Sequence, residues 1–200
     1  MSAELYTIGH STHSIEDFIG LLRRHHVGAI CDVRSQPYSR HTPQFNREVI
    51  ENQLAGHGIT YLFLGSELGA RGDDPGCYVG GKLQFDLLAK TETFQRGLAR
   101  LRDQMASCRT ALMCAEKDPL GCHRTILICR CLRSEDLDIR HILQDGEIEE
   151  HRHAERRLLR LLRIPEENLF ESLDDLIQRA YDSQGQRIAG SEHADAAADP

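Results

Sequence analysis

At 200 residues the chain has room for one well-buried core and is too short for two ordinary domains. Its net charge of −7 is confined to residues 165–200, where Glu166, Glu167, Glu171, Asp174, Asp175, Asp182, Glu192, Asp195 and Asp199 face only Arg179 and Arg187, while residues 1–164 are balanced. A neutral body with an acidic end excludes a global electrostatic footprint for nucleic acid, though not a local basic groove.

No basic segment followed by an apolar stretch opens the chain, and no run approaches the roughly 20 apolar residues that span a bilayer, so neither a signal peptide nor a membrane is expected. Seven cysteines is an odd number, and several sit inside apolar patterns. That argues against a disulfide framework and for reduced thiols in the cytoplasm.

In chain order, Leu5–Gly9 reads as a strand, and Ser14 caps a helix with Ile15, Phe18, Ile19 and Leu22 at helical spacing. Ala29–Val33 is a strand, Arg47–His57 a helix and Thr60–Leu64 a strand. Six glycines across residues 65–82 read as a long irregular loop. Thr93–Met105 is helical, and Thr110–Ala115 is an apolar run of the buried parallel-strand type. Cys122–Leu132 reads as a helix, Ile139–Leu143 as the last strand and Glu149–Leu162 as an amphipathic helix.

This alternation predicts a single α/β domain, a mainly parallel sheet with helices on both faces in a Rossmann-like three-layer sandwich. Residues 1–164 form that domain. Residues 165–200 add an acidic C-terminal helix and a tail expected to be disordered beyond about Tyr181.

Ligands of open α/β sheets bind at the carboxyl ends of the strands, and the unusual residues fall there. His10 and Ser11 follow the first strand, Asp32, Arg34, Ser39 and Arg40 the second, and Cys114, Glu116, Cys122, His123 and Arg124 the fourth. The blocks Thr7-Ile-Gly-His-Ser11, Asp32-Val-Arg34-x-x-Pro37-x-Ser39, Tyr61-x-x-Leu-Gly65-x-x-Leu-Gly69, Met113-Cys-Ala-Glu116-x-Asp-Pro119-x-x-Cys-His-Arg124 and His141-Ile142 together resemble the domain of unknown function 488 family over residues 5–145. The chain has Gly-Ala at 69–70 where the family pattern has a glycine pair. The resemblance implies a bacterial or archaeal cytosolic α/β protein and brings no settled reaction.

Read from the residues, Cys114 to Thr125 is a strand, a turn and a helix start, whose free N–H groups favour an anion. Cys122 at that position is a candidate thiolate nucleophile, with Glu116 and His10 as acid–base groups. Ser11, Asp32, Arg34, Ser39, Arg40, His123 and Arg124 are candidate ligand-binding groups, the arginines because a guanidinium forks onto phosphate or carboxylate. Tyr38, Tyr61, Phe63, Tyr78 and Phe85 could stack on a base. Arg152, Arg156, Arg157, Arg160 and Arg163 form a basic helix face that could meet nucleic acid backbone.

Three functions stay open: an enzyme acting on a phosphate-bearing small molecule or nucleotide, a non-catalytic binding module for a nucleotide or modified nucleic acid base, and a metal-dependent hydrolase using His10, Glu116 and Cys122. His10, Cys114, Glu116, Cys122, His123 and His141 supply the ligand types of a zinc or iron site, but no close-set metal motif is present, and neighbours on a helix such as Cys122 and His123 point about 100° apart, so no metal or other cofactor is assigned. The sequence fixes neither the oligomeric state nor the strand order.

Overall fold

The computed structural model describes residues 3–71, 74–133, 136–167 and 169–196. Strand β1 (Ala3–Gly9) leads into α1 (Ile15–Arg24), whose N-terminus is capped by the Ser14 hydroxyl accepting the Asp17 N–H at 3.0 Å. Next come β2 (Ala29–Asp32), α2 (Arg47–Gly56), β3 (Thr60–Phe63), α3 (Gly65–Leu68), β4 (Tyr78–Val79), β5 (Lys82–Leu83), α4 (Phe85–Leu88) and α5 (Glu92–Ser107). Strand β6 (Thr110–Cys114) is followed by a π-helical turn over Arg124–Cys129 that runs into α6 (Arg130–Leu132). β7 (Leu137–Ile142), β8 (Ile148–Glu150), α7 (His151–Leu161) and α8 (Leu173–Ala196) complete the described residues.

Six strands form one sheet in the order β3-β2-β6-β1-β7-β8, parallel throughout except for β8, which pairs antiparallel with β7. Strand alternation separates two cores. Leu5, Leu112 and Ile139 face α5, α7, α8 and the π turn; Tyr6, Ile8, Ile30 and Met113 face α1 and α2. This is the α/β architecture that the alternation predicts, with β6 lying between β2 and β1. That order puts the three strands carrying the unusual residues side by side.

Three features differ from the sequence reading. The glycine-rich stretch carries structure of its own: α3, a 3₁₀ turn over Pro75–Cys77 and the β4–β5 hairpin. That turn buries Cys77 in the core. Gly72 and residues 197–200 lie outside the described residues. β8 adds an antiparallel edge strand that its three residues are too short to signal.

The third difference is α8, which continues past Tyr181 because Gln184, Ile188 and Ala189 are buried; composition registers the acids of this segment but not its apolar stripe. Tyr181 anchors the helix through an interior chain of hydrogen bonds. Its hydroxyl donates to Glu155 Oε1 at 2.9 Å and accepts from His151 Nε2 at 3.0 Å; His151 Nδ1 meets His141 Nε2 at 3.0 Å, and His141 Nδ1 meets the Thr7 hydroxyl at 2.8 Å. Burial holds both imidazoles neutral, with His151 lowered to about 4 and His141 well below its ordinary value. Tyr181→Phe strands two buried partners. It is expected to cost about 1–3 kcal/mol in urea denaturation, and a loss within about 0.5 kcal/mol, the range of an inert substitution, would show that the chain does not hold the helix.

Candidate functional site

Backbone hydrogen bonds carry the strand pairing past the ends of the strands. His10 N–H donates to Cys114 O at 2.9 Å, Ser11 N–H to Ala115 O at 2.9 Å, and Val33 N–H to Met113 O at 3.1 Å. The ends of β1, β6 and β2 are thereby held in register, and the loops behind them converge. Gly9 is required for this approach: a Cβ there would lie 1.9 Å from Glu116 O and 3.2 Å from Arg124 Nη1. Gly9→Ala is expected to destabilise by about 1–3 kcal/mol, as overpacking does, and to disturb Arg124 as well; a fully stable, correctly folded variant would contradict the closeness of these loops.

On the β2 side lies a buried ion pair. Arg34 donates to Asp32 through Nε–Oδ1 at 2.9 Å and Nη2–Oδ2 at 2.6 Å, and the Arg34 backbone N–H reaches Oδ1 at 3.1 Å. The Tyr61 hydroxyl donates to Asp32 Oδ2 at 2.7 Å, and Arg34 Nη2 also reaches Phe45 O at 2.9 Å. Arg34 is therefore occupied by its own neighbour and does not present the open fork expected of an anion ligand. His10 is likewise satisfied. Its Nδ1–H donates to Ser11 O at 3.0 Å, its Nε2 accepts from Arg34 Nη1 at 3.2 Å, and its ring stacks on Phe45 at 4.3 Å. Burial and the adjacent guanidinium lower its pKa to about 4, so it is a neutral turn residue.

At the end of β6, Cys114, Cys122 and His123 place their Sγ, Sγ and imidazole nitrogen atoms within 4.8 Å of one another, all three residues buried. The backbone explains how adjacent residues share one centre. Cys122 is extended (φ −135°, ψ 141°) and His123 helical (φ −60°, ψ −26°), so the pair precedes the helix and the 100° rule for helical neighbours does not apply. His123 Nε2–H donates to Val33 O at 3.0 Å, leaving Nδ1 toward Cys114 Sγ at 3.7 Å. The Arg124 N–H donates to Cys122 Sγ at 3.4 Å.

Glu116 lies against both thiols, and its Oε2 is buried with no regular hydrogen-bond partner. Burial alone would raise its pKa; contact with Cys114 and Cys122 and the charge of His123 outweigh this and hold it below the usual carboxylate value. Cys122 is lowered to about 6 against the opposing effect of burial, through Cys114 and the Arg124 charge, while burial pushes Cys114 well up. Arg124 is wholly buried. It donates from Nη1 to Glu116 O at 2.8 Å, and its Nε has no partner.

The remaining candidates fall outside this cluster. Ser11 is half-buried at the end of β1, at φ 45°. Ser39 serves its own loop, accepting from the His41 and Thr42 N–H groups, and Arg40 is exposed. His141 belongs to the Tyr181 chain. Arg47 lies over the Phe63 ring at 4.4 Å, so that aromatic already has a cation. In the basic face of α7, Arg152 pairs with Glu150, Arg157 with Asp118 and Glu149, and Arg160 with Glu166.

An open cleft of about 820 Å³ separates the turn at Lys117–Pro119 from the β7–β8 turn at Leu143–Asp145, with Arg157 and Glu149 in its wall. Its rim begins one residue after Glu116. All seven cysteines are free, and no helix among the described residues is long and apolar enough to cross a membrane.

The sequence reading names Cys114, Cys122 and His123 among six residues of metal-ligand type but sets the neighbours Cys122 and His123 apart; the structure brings these three together and leaves His10 and His141 elsewhere. The signal for that grouping is the pair of turn residues Asp118 and Pro119, legible in hindsight: the Asp118 side chain accepts the Leu120 N–H at 2.9 Å and shapes the 3₁₀ turn that leads into Cys122. Compared with known sequences, residues 14–131 match the family model described as Domain of unknown function DUF488. No curated protein and no solved structure matches the chain.

Proposed function

Because the chain belongs to the domain of unknown function 488 family, whose description names no reaction, we propose a function from the site itself: an enzyme that performs acid–base chemistry on a small oxyanion-bearing substrate, phosphate esters and nucleotides being the first class to test. The observation that carries this reading is the Glu116 carboxylate, which has a buried, unpartnered oxygen beside two thiols at the carboxyl edge of the sheet. A buried polar atom without a partner is costly, and functional sites are where such atoms persist.

In this reading Glu116 moves the proton, the three side chains of Cys114, Cys122 and His123 supply the activating group, and the substrate lies in the cleft beside Lys117. Arg124, through its unpartnered Nε, meets the developing negative charge; it replaces Arg34, which Asp32 already occupies. Simple recognition gives no use for a thiol pair around a carboxylate, which favours catalysis over a binding module. Free thiols suit a reducing compartment, which supports a cytoplasmic setting for this reading.

The test is a turnover screen of the wild-type protein and Glu116→Gln against phosphate esters, nucleotides and related carboxylates. Turnover of one class by the wild type and its loss in the variant is the expected result. Equal rates in both proteins, or tight binding without turnover by either, would overturn the enzyme reading.

A further inference from the structure

We infer that Cys114, Cys122 and His123 form a binding site for one zinc-class divalent cation, with a fourth position left open beside Glu116. The inference rests on the enzyme reading in taking this cluster as the functional centre, and it names what the activating group is.

Ligand spacing is the first argument. Zinc binds sulfur at about 2.3 Å and imidazole nitrogen at about 2.0 Å, so the edges of a tetrahedron around it are about 3.5–3.8 Å. Cys114 Sγ and His123 Nδ1 already stand 3.7 Å apart, and all three ligand atoms lie within 4.8 Å of each other. Closing the set from at most 4.8 Å to these edges asks for shifts of about an ångström.

Orientation is the second. A metal-bound histidine characteristically donates its other ring N–H to a backbone carbonyl or carboxylate, which fixes the tautomer and aims the lone pair. His123 does this through Nε2–H to Val33 O at 3.0 Å. The backbone N–H of Arg124 on Cys122 Sγ is likewise the kind of donor that supports a thiolate ligand.

Charge is the third. When the ion binds, the two S–H protons leave to solvent and two sulfur–metal bonds form, so the two positive charges of the ion are matched by two thiolates. The Arg124 guanidinium, bonded to the Glu116 backbone carbonyl, and the nearby Glu116 carboxylate add equal and opposite charges. A buried set that stays neutral with the ion in place avoids the penalty of an uncompensated interior charge. Two sulfurs and one imidazole select zinc, cobalt or iron over magnesium and calcium, which take oxygen ligands. Three protein ligands with one open position is the arrangement of catalytic rather than structural zinc, where the ion lowers the pKa of a bound water. The non-ligating Glu116 two residues after the ligand Cys114 has the spacing of the glutamate in zinc-dependent nucleobase deaminases.

The experiment uses the untagged full chain, stripped with a chelator and titrated with Co²⁺ and then Zn²⁺. One equivalent of cobalt should give thiolate-to-cobalt charge-transfer absorption, and one equivalent of zinc should abolish it. His123→Ala and Cys122→Ser should each weaken cobalt binding by more than about 100-fold, above the roughly 10–100-fold cost of losing a group that only orients a ligand. Cys129→Ser, a buried cysteine outside the cluster, should leave the spectrum unchanged. Circular dichroism of each variant separates lost ligation from lost fold. Absence of the band in the wild type, or its persistence in a folded Cys122→Ser, His123→Ala double variant, overturns the site. Glu116→Gln keeps the band, so loss of turnover in that variant without a cobalt band retains the enzyme and removes the metal; the band with unchanged turnover does the reverse.

Discussion

Asp32→Asn is expected to destabilise the protein by about 3–5 kcal/mol, the cost of leaving a buried charge without its partner. Asp32 is fully buried and the Arg34 side chain is 7% exposed, so water cannot replace the lost carboxylate. Asparagine keeps the shape and one acceptor, which makes charge the variable. Denaturant unfolding of the single variant and of Asp32→Asn, Arg34→Met gives the decisive comparison. Removing the second charge should recover a large part of the loss, because a pair replaced by apolar groups of similar size is often nearly neutral whereas a broken pair is not. A loss under about 1 kcal/mol, typical of an exposed pair, would mean that Arg34 is solvated and available to a ligand after all, and the anion-binding role read from its sequence position would return.

Glu116→Gln is expected to lower turnover by about 100- to 10,000-fold, the range that a positioned acid–base group contributes. Unfolding is measured alongside, because the same change also removes a charge that offsets the wholly buried Arg124 and so carries a stability cost of its own. The division between these two results is the informative part. A structural carboxylate would show its loss in stability alone, and a catalytic one in rate as well. Steady-state kinetics on the substrate class found by the screen, alongside thermal unfolding, read both from one preparation.

Most of the fold was legible because strand and helix periods are long-range regularities of the sequence. Thr110–Ala115 announces a buried parallel strand, and Ser14 with Asp17 announces a helix start; both stand where expected. Strand order is not written in any such period, and it is what turned a set of strand-end residues into neighbours. Asp32 and Arg34 were visible as polar residues at a strand end, yet whether an arginine two positions from an aspartate grips it or a ligand depends on burial, which spacing does not encode. The cysteine and histidine grouping was hidden by a local assumption. Treating residues 122–132 as one regular helix separates Cys122 from His123, and only the extended backbone of Cys122 brings them together. In α8, acids dominate the composition while a stripe of Tyr181, Gln184 and Ile188 makes the packing.

The π turn at Arg124–Cys129 has a consequence for how this site tolerates change in length. Its backbone bonds run from each residue to the fifth, so it holds more residues per turn than the α-helix it feeds. Every residue of the turn is buried, so deleting any one of them would let the segment relax into ordinary α-helix only at the expense of core packing. The start of that helix would then rotate by about 100° relative to its buried face. Arg124 and the turn before it would swing off the end of β6. Insertions and deletions here therefore change the site together with the core beneath it, and two homologous chains that differ by one residue between positions 124 and 129 should be regarded as carrying different sites.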